Sequence, residues 1–240
     1  MGPLNKLRIA IAISALALAH SASAQGLYAR ADFGFLWAQE TDIEDKNCNS
    51  ANALLGCGNS ISGDYNSPGA GLGLGFMPLR WLRSDVTGFY AWSGDFSGKD
   101  KLTPQTTTTA EVTSLTGLVN AYIEIAGLTP GGLGAFKPYV GAGIGASRNR
   151  VKDVRSTVAG VNFTTPGGSN TDLAWSIAAG TGIQLTNSLA LDLGYRFMDI
   201  GRVETDAGNA TVLGVTVPVD GTESDRIKVH LVTVGLRYSF

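Results

Sequence analysis

Between Leu189 and Asp199 the chain reads LALDLGYRFMD, with a large apolar residue at every second position. Leu189, Leu191, Leu193, Tyr195 and Phe197 fall on one side of an extended backbone; Asp192, Gly194, Arg196 and Met198 fall on the other. Side chains of a strand alternate between its faces, so this spacing predicts a strand with one apolar face and one polar or small face. The end of the chain repeats the pattern. Val232, Val234, Leu236, Tyr238 and Phe240 oppose Thr233, Gly235, Arg237 and Ser239. Near the start, Leu27, Ala29, Ala31, Phe33, Phe35 and Trp37 oppose Tyr28, Arg30, Asp32 and Gly34.

Five segments between these follow the same rule less strictly. Ala70, Leu72, Leu74 and Phe76 alternate with Gly71, Gly73 and Gly75. Leu82, Val86, Tyr90 and Trp92 oppose Arg83, Asp85 and Thr87, with Phe89 breaking the polar side. Leu115, Val119, Ala121 and Ile123 oppose Thr116, Asn120, Tyr122 and Glu124, with Leu118 out of place. Val140, Ala142, Ile144 and Ala146 oppose Gly141, Gly143, Gly145 and Ser147. Trp175, Ile177, Ala179 and Ile183 oppose Ser176, Ala178, Gly180, Gly182 and Gln184. The expectation is therefore an all-β chain of eight antiparallel strands. The gaps alternate in length: long at Gln39–Pro68, Ser93–Ala110, Arg148–Asp172 and Gly201–Asp225, short at Met77–Trp81 and Thr186–Ser188, and moderate around Thr129–Gly132. Long loops on one side and tight turns on the other are expected of an up-and-down transmembrane barrel with both termini at the turn end.

Alternation alone does not say which face meets lipid. A soluble lipocalin-like barrel turns its apolar face inward; a membrane barrel turns it outward. Three features favour the membrane form. Charges of both signs share the polar face, with Arg30, Arg83, Arg196 and Arg237 matched by Asp32, Asp85, Glu124 and Asp192. Glycines crowd that face on three segments, giving long neighbours room inside a narrow barrel. The four tryptophans, Trp37, Trp81, Trp92 and Trp175, are placed at expected strand ends, where an interfacial aromatic girdle belongs.

The N-terminus adds an address. Lys6 and Arg8 precede an apolar stretch from Ile9 to Ala19, and Ala22-Ser23-Ala24 supplies small residues for cleavage. This is the pattern of a secretory signal peptide, and the stretch is too short to span a bilayer as a helix. The expected division is a cleaved leader over residues 1–24 and a barrel domain over residues 25–240. The leader carries two of the 18 basic residues and no acid, so its removal changes the net charge from −2 to −4. No basic excess remains to hold nucleic acid. No apolar run of about 18 residues follows the leader, which argues against helical membrane spans. Charged residues make up only 16% of the chain, and glycine occurs 32 times, a composition suited to strands and turns.

The segments KPYVGAGIGA (Lys137–Ala146), LALDLGYRFMDIG (Leu189–Gly201) and LVTVGLRYSF (Leu231–Phe240) resemble those of the small outer-membrane β-barrel family. That family includes opacity-type and porin-like surface antigens and is related to the OmpA barrel. The resemblance extends over essentially all of Gly26 to Phe240. It implies a Gram-negative outer-membrane location, outer-membrane lipid as surroundings, and delivery by periplasmic chaperones to the barrel-assembly machinery. Phe240, with Tyr238 two residues before it, resembles the family's assembly signal. OmpA carries a peptidoglycan-binding domain after its barrel and this sequence ends at the barrel, so the resemblance implies no cell-wall tether.

Other chemistries are weighed against this frame. Gly141, Gly143 and Ala146 fit a dinucleotide-binding fingerprint, but no amphipathic helix follows them, so lumen-facing glycines are the better reading. Cys48 and Cys57 share the first long loop; in an exported chain they are expected to form a disulfide, and their spacing matches no zinc pattern. Asp42, Glu44 and Asp45 precede them as a solvated acidic stretch, with weak calcium binding as the rival. His230 is the one histidine after the leader, with strand parity pointing it to lipid or the interface; Ser224 and Asp225 are its local partners in sequence. The expectation is no enzyme, no cofactor and no metal. Two functions stay open. In one, the luminal charges brace a filled barrel and the long loops engage envelope or host components. In the other, the lumen is a small-solute, porin-like channel.

Overall fold

In the computed structural model, residues 26–38, 41–44, 61–100, 107–152, 154–158, 161–204, 208–212, 215–219 and 223–240 are described. Eight long strands form the wall: β1 (Leu27–Ala38), β3 (Ile61–Leu79), β4 (Leu82–Asp100), β5 (Thr107–Glu124), β6 (Phe136–Val151), β9 (Gly168–Gln184), β10 (Leu189–Asp199) and β14 (Lys228–Ser239). Each pairs antiparallel with its neighbour in the chain, and β14 returns to β1 through the register Arg30↔Arg237 and Phe33↔Val234. The sheet is closed, which removes the exposed edges that would otherwise template aggregation.

Among the described residues, six short strands lie beyond the wall: β2 (Thr41–Glu44), β7 (Val154–Val158), β8 (Val161–Thr165), β11 (Gly208–Val212), β12 (Val215–Val219) and β13 (Glu223–Ser224). β7 pairs β8, β11 pairs β12, and β8 pairs β11, while β2 joins β13 to β3. The segments read from sequence as long loops are thus partly β-structure. β3 and β4 run for 19 residues each, about twice the nine to eleven that cross a bilayer. The reason lies in the residues. Runs such as Thr107–Thr109, Val161–Thr165 and Val215–Val219 are rich in β-branched side chains, which favour extended backbone wherever a partner strand is available. The extensions also move two tryptophans. Trp92 and Trp175 lie inside long strands rather than at strand ends, because β4 and β9 continue past the apolar band.

The opposite end is tightly closed. Arg80 and Trp81 make the β3–β4 turn, and the Glu124 N–H donates to the Trp81 carbonyl at 2.8 Å. A single helical turn, α1 (Ile125–Leu128), and the positive-φ glycines Gly131, Gly132 and Gly134 join β5 to β6. The Phe240 N–H donates to the Leu27 carbonyl at 3.0 Å and the Met77 N–H to the Gly26 carbonyl at 2.8 Å, so both ends of the barrel chain meet here.

Apolar side chains cover the outside. Phe33, Leu72, Leu74, Val119, Ile144, Ile177 and Val234 are exposed, while Tyr28, Arg30, Arg83, Asp85, Glu124, Asp192 and Arg237 are buried. This is a soluble protein's distribution turned inside out, the arrangement a bilayer demands.

Candidate functional site

The lumen is filled in two layers. The first lies toward the tight turns. Arg30 forms a two-bonded pair with Asp32, both contacts at 2.8 Å, and reaches Asp85 at 3.5 Å. Arg83 lies 3.1 Å from Glu124 and 3.5 Å from Asp192. Arg237 lies 3.2 Å from Glu124 and 3.9 Å from Asp192. Eight sequence-selected charges therefore converge on one layer, although Arg196 meets no carboxylate directly within the described residues. It donates instead to the Asn120 side-chain oxygen Oδ1 at 3.2 Å and the Tyr122 hydroxyl at 2.9 Å. Asn120 in turn donates to Asp85 at 2.7 Å.

Three tyrosines complete this layer, and alternation did not single them out as site residues. The Arg83 guanidinium lies 4.3 Å from the Tyr122 ring centre and 4.5 Å from that of Tyr139. It is fully buried, and its nitrogens make no well-directed hydrogen bond, so ring faces and the two nearby acids stabilise its charge. Tyr28 donates to Asp85 at 2.8 Å and Tyr139 to Asp192 at 2.7 Å. Glycine makes room for these groups. A Cβ on Gly180 would stand 2.5 Å from the Tyr139 hydroxyl, and one on Gly182 would stand 2.6 Å from the Arg237 guanidinium. The signal was available in the sequence: Tyr28, Tyr122 and Tyr139 all carry the parity of the charged face.

The second layer lies toward the long hairpins and is apolar. Leu36, Ala38, Ala91, Leu118, Ala174, Met198, Ile200, Val229 and Leu231 form one buried cluster, with Phe89, Val112 and Ile227 packed against it. Phe89 and Leu118, the two breaks in the alternation, belong here. They keep inward parity but face an oily layer rather than a polar one. A lumen polar along its whole length, as the sequence suggested, is corrected on this point.

Chain leaving β10 folds over this layer as a lid. The Ile200 N–H donates to the Ile227 carbonyl at 3.0 Å, and the Ser224 N–H to the Val203 carbonyl at 2.9 Å. Asn149 on β6 donates to the carbonyls of Ile200 and Arg202 at 2.8 and 3.2 Å. Its side-chain oxygen Oδ1 accepts from Ser114 at 2.7 Å, and Ser147 bonds Ser114 and Thr116 at 2.9 Å each. At the rim, Arg226 contacts Asp199 at 2.9 Å and Asp172 at 3.3 Å, and Arg202 contacts Asp172 at 3.3 Å. Asp172 lies beyond the apolar band. Partial burial pushes its carboxyl upward, but the N–H groups of Leu173 and Arg202 and the two guanidiniums outweigh this and hold it below the ordinary value of 3.8. Between the two layers lies a cavity of about 30 Å³, bordered by Arg30, Arg196, Thr87, Leu118 and Met198, with room for about two water molecules.

The remaining candidates fall elsewhere. His230 points outward and stacks on Trp37 with ring centres 5.4 Å apart. Its Nδ1 lies 2.6 Å from the Tyr195 hydroxyl, and its edge meets Phe197. Ser224 donates to the Asp225 carbonyl and accepts from the Val203 N–H, both at 2.9 Å. Tyr238 and Phe240 are exposed on the outer wall near the turn end, with rings 5.4 Å apart. Cys48, Cys57 and Asp45 lie outside the described residues, as do the side chains of Asp42 and Glu44. The leader over residues 1–24 lies outside them as well. Among the described residues, no three His, Cys, Asp or Glu converge as a metal site.

A closed eight-stranded barrel, apolar outside and filled inside by paired charges, defines a small outer-membrane barrel. The chain belongs to the outer membrane protein beta-barrel domain family, whose model matches residues 9–240. It is thus a protein of the bacterial outer membrane. A putative adhesin of Rickettsia rickettsii is 25% identical over 175 residues, covering 70% of this chain and 72% of that one. An uncharacterised protein of Brucella abortus is 29% identical over 137 residues, covering 52% of this chain and 46% of its own length. The chain spans about half the length of the Brucella relatives it matches. In fold it is similar to the outer membrane protein OprG of Pseudomonas aeruginosa, with a TM-score of 0.53 at 14% identity over 90% of this chain and 98% of that one.

Proposed function

We propose that this barrel is a braced, non-enzymatic scaffold that presents its long outer hairpins to envelope or host components. The carrying observation is the filled lumen. An ion-paired layer and an apolar layer lie in series, and a lid anchored by Asn149 covers the second. The β-structured hairpins beyond the band fit the same reading, because paired strands hold a recognition surface in place better than open loops. The name of the Rickettsia relative, a putative adhesin, also supports it. On this reading no residue is catalytic, and His230 serves as an interfacial aromatic partner.

The reading includes three processing steps. The leader is cleaved after Ala24, Cys48 and Cys57 join in a disulfide, and Tyr238 and Phe240 are read by the assembly machinery. Intact mass of the exported protein, before and after reduction and alkylation, checks the first two. The main test replaces residues 203–225 with a short turn and compares adhesion of intact cells carrying each form to a host-cell layer. Loss of adhesion with unchanged barrel folding supports the scaffold reading; equal adhesion refutes it for this hairpin.

One observation favours a second reading, a small-solute channel. The cavity of about 30 Å³ separates the layers and is bordered by Arg196, the luminal cation with no direct acid partner among the described residues. A path through it requires Leu118 and Met198 to move aside.

A further inference from the structure

On the outer wall, β6 carries an apolar band and then two cations. Phe136, Val140, Ala142, Ile144 and Ala146 face outward in succession, and the next two outward positions are Arg148 and Arg150. From Phe136 to Ala146 is ten residues of strand. At about 3.3 Å per residue and a tilt near 40°, that rises about 25 Å, the height of a barrel's lipid-facing band. The arginines therefore stand at the headgroup level of the leaflet on the hairpin side.

Among the described residues, their cross-strand neighbours carry no acid. The register places Leu115 and Thr171 beside Arg148, and Thr113 and Ser169 beside Arg150. Glu111, the nearest outward carboxylate on β5, is held by Lys152 at 2.5 Å. Among the described residues, no carboxylate pairs with Arg148 or Arg150. Below them the wall is indented. A groove of about 920 Å³ runs across it, lined by Leu115, Tyr90, Ala70, Phe33, Leu72 and Leu236. A Cβ on Gly88 or Gly117 would meet only open space. Leu115 is both the end of the groove and the cross-strand neighbour of Arg148.

We propose that Arg148 and Arg150 bind the phosphate of an outer-leaflet phosphorylated glycolipid, whose acyl chains lie in the groove beginning at Leu115. Guanidinium groups suit this task because their planar fork meets two phosphate oxygens at once, and they stay charged at the membrane surface. The hydroxyls of Thr113, Thr171 and Ser169 flank the same place. The acyl groove selects a lipid over a free anion, since inorganic phosphate has nothing to lay there.

The test is native mass spectrometry of the refolded full-length barrel after incubation with bis-phosphorylated lipid A or with phosphatidylcholine of matched chain length. Wild type should retain lipid A at least tenfold better than phosphatidylcholine. The variant R148Q/R150Q should lose that preference, and R148K/R150K should recover part of it. Both sites are exposed, and the heat-dependent gel shift of folded barrels verifies that each variant is closed. Equal retention by wild type and R148Q/R150Q overturns the proposal, as does equal retention of the two lipids. Displacement of lipid A by millimolar inorganic phosphate would reassign the arginines to a free-anion site and also overturn it.

Discussion

The two layers of the lumen fill the same barrel by opposite means. Toward the turns, four arginines, four acids and three tyrosines hold one another through ion pairs, hydrogen bonds and cation–ring contacts, among them Arg30–Asp32 at 2.8 Å, Tyr139–Asp192 at 2.7 Å and Arg83 over the Tyr122 ring at 4.3 Å. Toward the hairpins, Leu36, Leu118, Met198, Val229 and Leu231 hold together by contact alone. A directed network leaves a stranded charge when one member is lost, whereas an apolar cluster loses the removed atoms and keeps a cavity that an isosteric side chain can fill. The layers should therefore respond to damage differently, and the difference is measurable.

The largest effect is expected in the charged layer. Asp192 accepts from Tyr139 and lies within 3.9 Å of Arg30, Arg83 and Arg237. Asp192→Ala should destabilise the barrel by about 3–5 kcal/mol, because it leaves buried guanidiniums short of an acid. Denaturant unfolding in lipid vesicles reads this, and a loss below about 1 kcal/mol would erase the contrast. In the apolar layer, Met198→Ala should cost about 2–5 kcal/mol as a cavity opens, while Met198→Leu, which keeps the volume, should cost under about 1.5 kcal/mol. No isosteric swap should be so well tolerated at Asp192: Asp192→Asn should fall much nearer to Asp192→Ala than to Met198→Leu.

The lid sharpens the comparison, because polar bonds hold an oily cap in place. Asn149→Ala removes the donor to the Ile200 and Arg202 carbonyls, with an expected cost of about 1–3 kcal/mol. Hydrogen exchange should accelerate over residues 200–204 and stay unchanged in β1. The smallest effect is the pH response of the rim. The Asp172 carboxyl is held below its ordinary value of 3.8, so its ion pairs stabilise the lid fully above that pH and are lost as pH falls through the depressed value. The protection factor of the lid amides, which divides out the intrinsic pH dependence of exchange, should fall below pH 3.8 and be flat from there to neutrality. In Asp172→Asn that step should vanish.

The two layers were also unequally legible in the sequence. Charges on one strand face mark a filled membrane barrel, because alternation shows which positions share the lumen; the pairing partners do not follow from it. Arg30 reaches Asp85, 55 residues away, across β3, which pairs with the strands of both. The apolar layer was hidden because its members read as faults. Phe89 and Leu118 broke the pattern only under the assumption that a lumen is polar throughout. The lid was hidden for a different reason: Ile200, Ile227 and Asn149 meet through a segment with no period of its own. The spacing of the hydroxyls of Ser114, Thr116 and Ser147 and the amide of Asn149 was the available hint. The hairpin extensions were readable in principle from their threonines and valines, yet strand pairing outside the membrane depends on a neighbour that local sequence does not reveal.

The central claim is that the two layers together close the lumen. Single-channel recording on the refolded mature barrel in a planar bilayer, with insertion verified independently, tests it most directly. The account predicts a silent wild type, a Leu118→Gly/Met198→Gly variant that stays silent because the charged layer still closes the path, and conductance steps only when Asp192→Ala/Glu124→Ala is added to that variant. Reproducible steps from the wild type, altered in size or ion selectivity by Asp192→Ala/Glu124→Ala, would contradict it and make the lumen a channel.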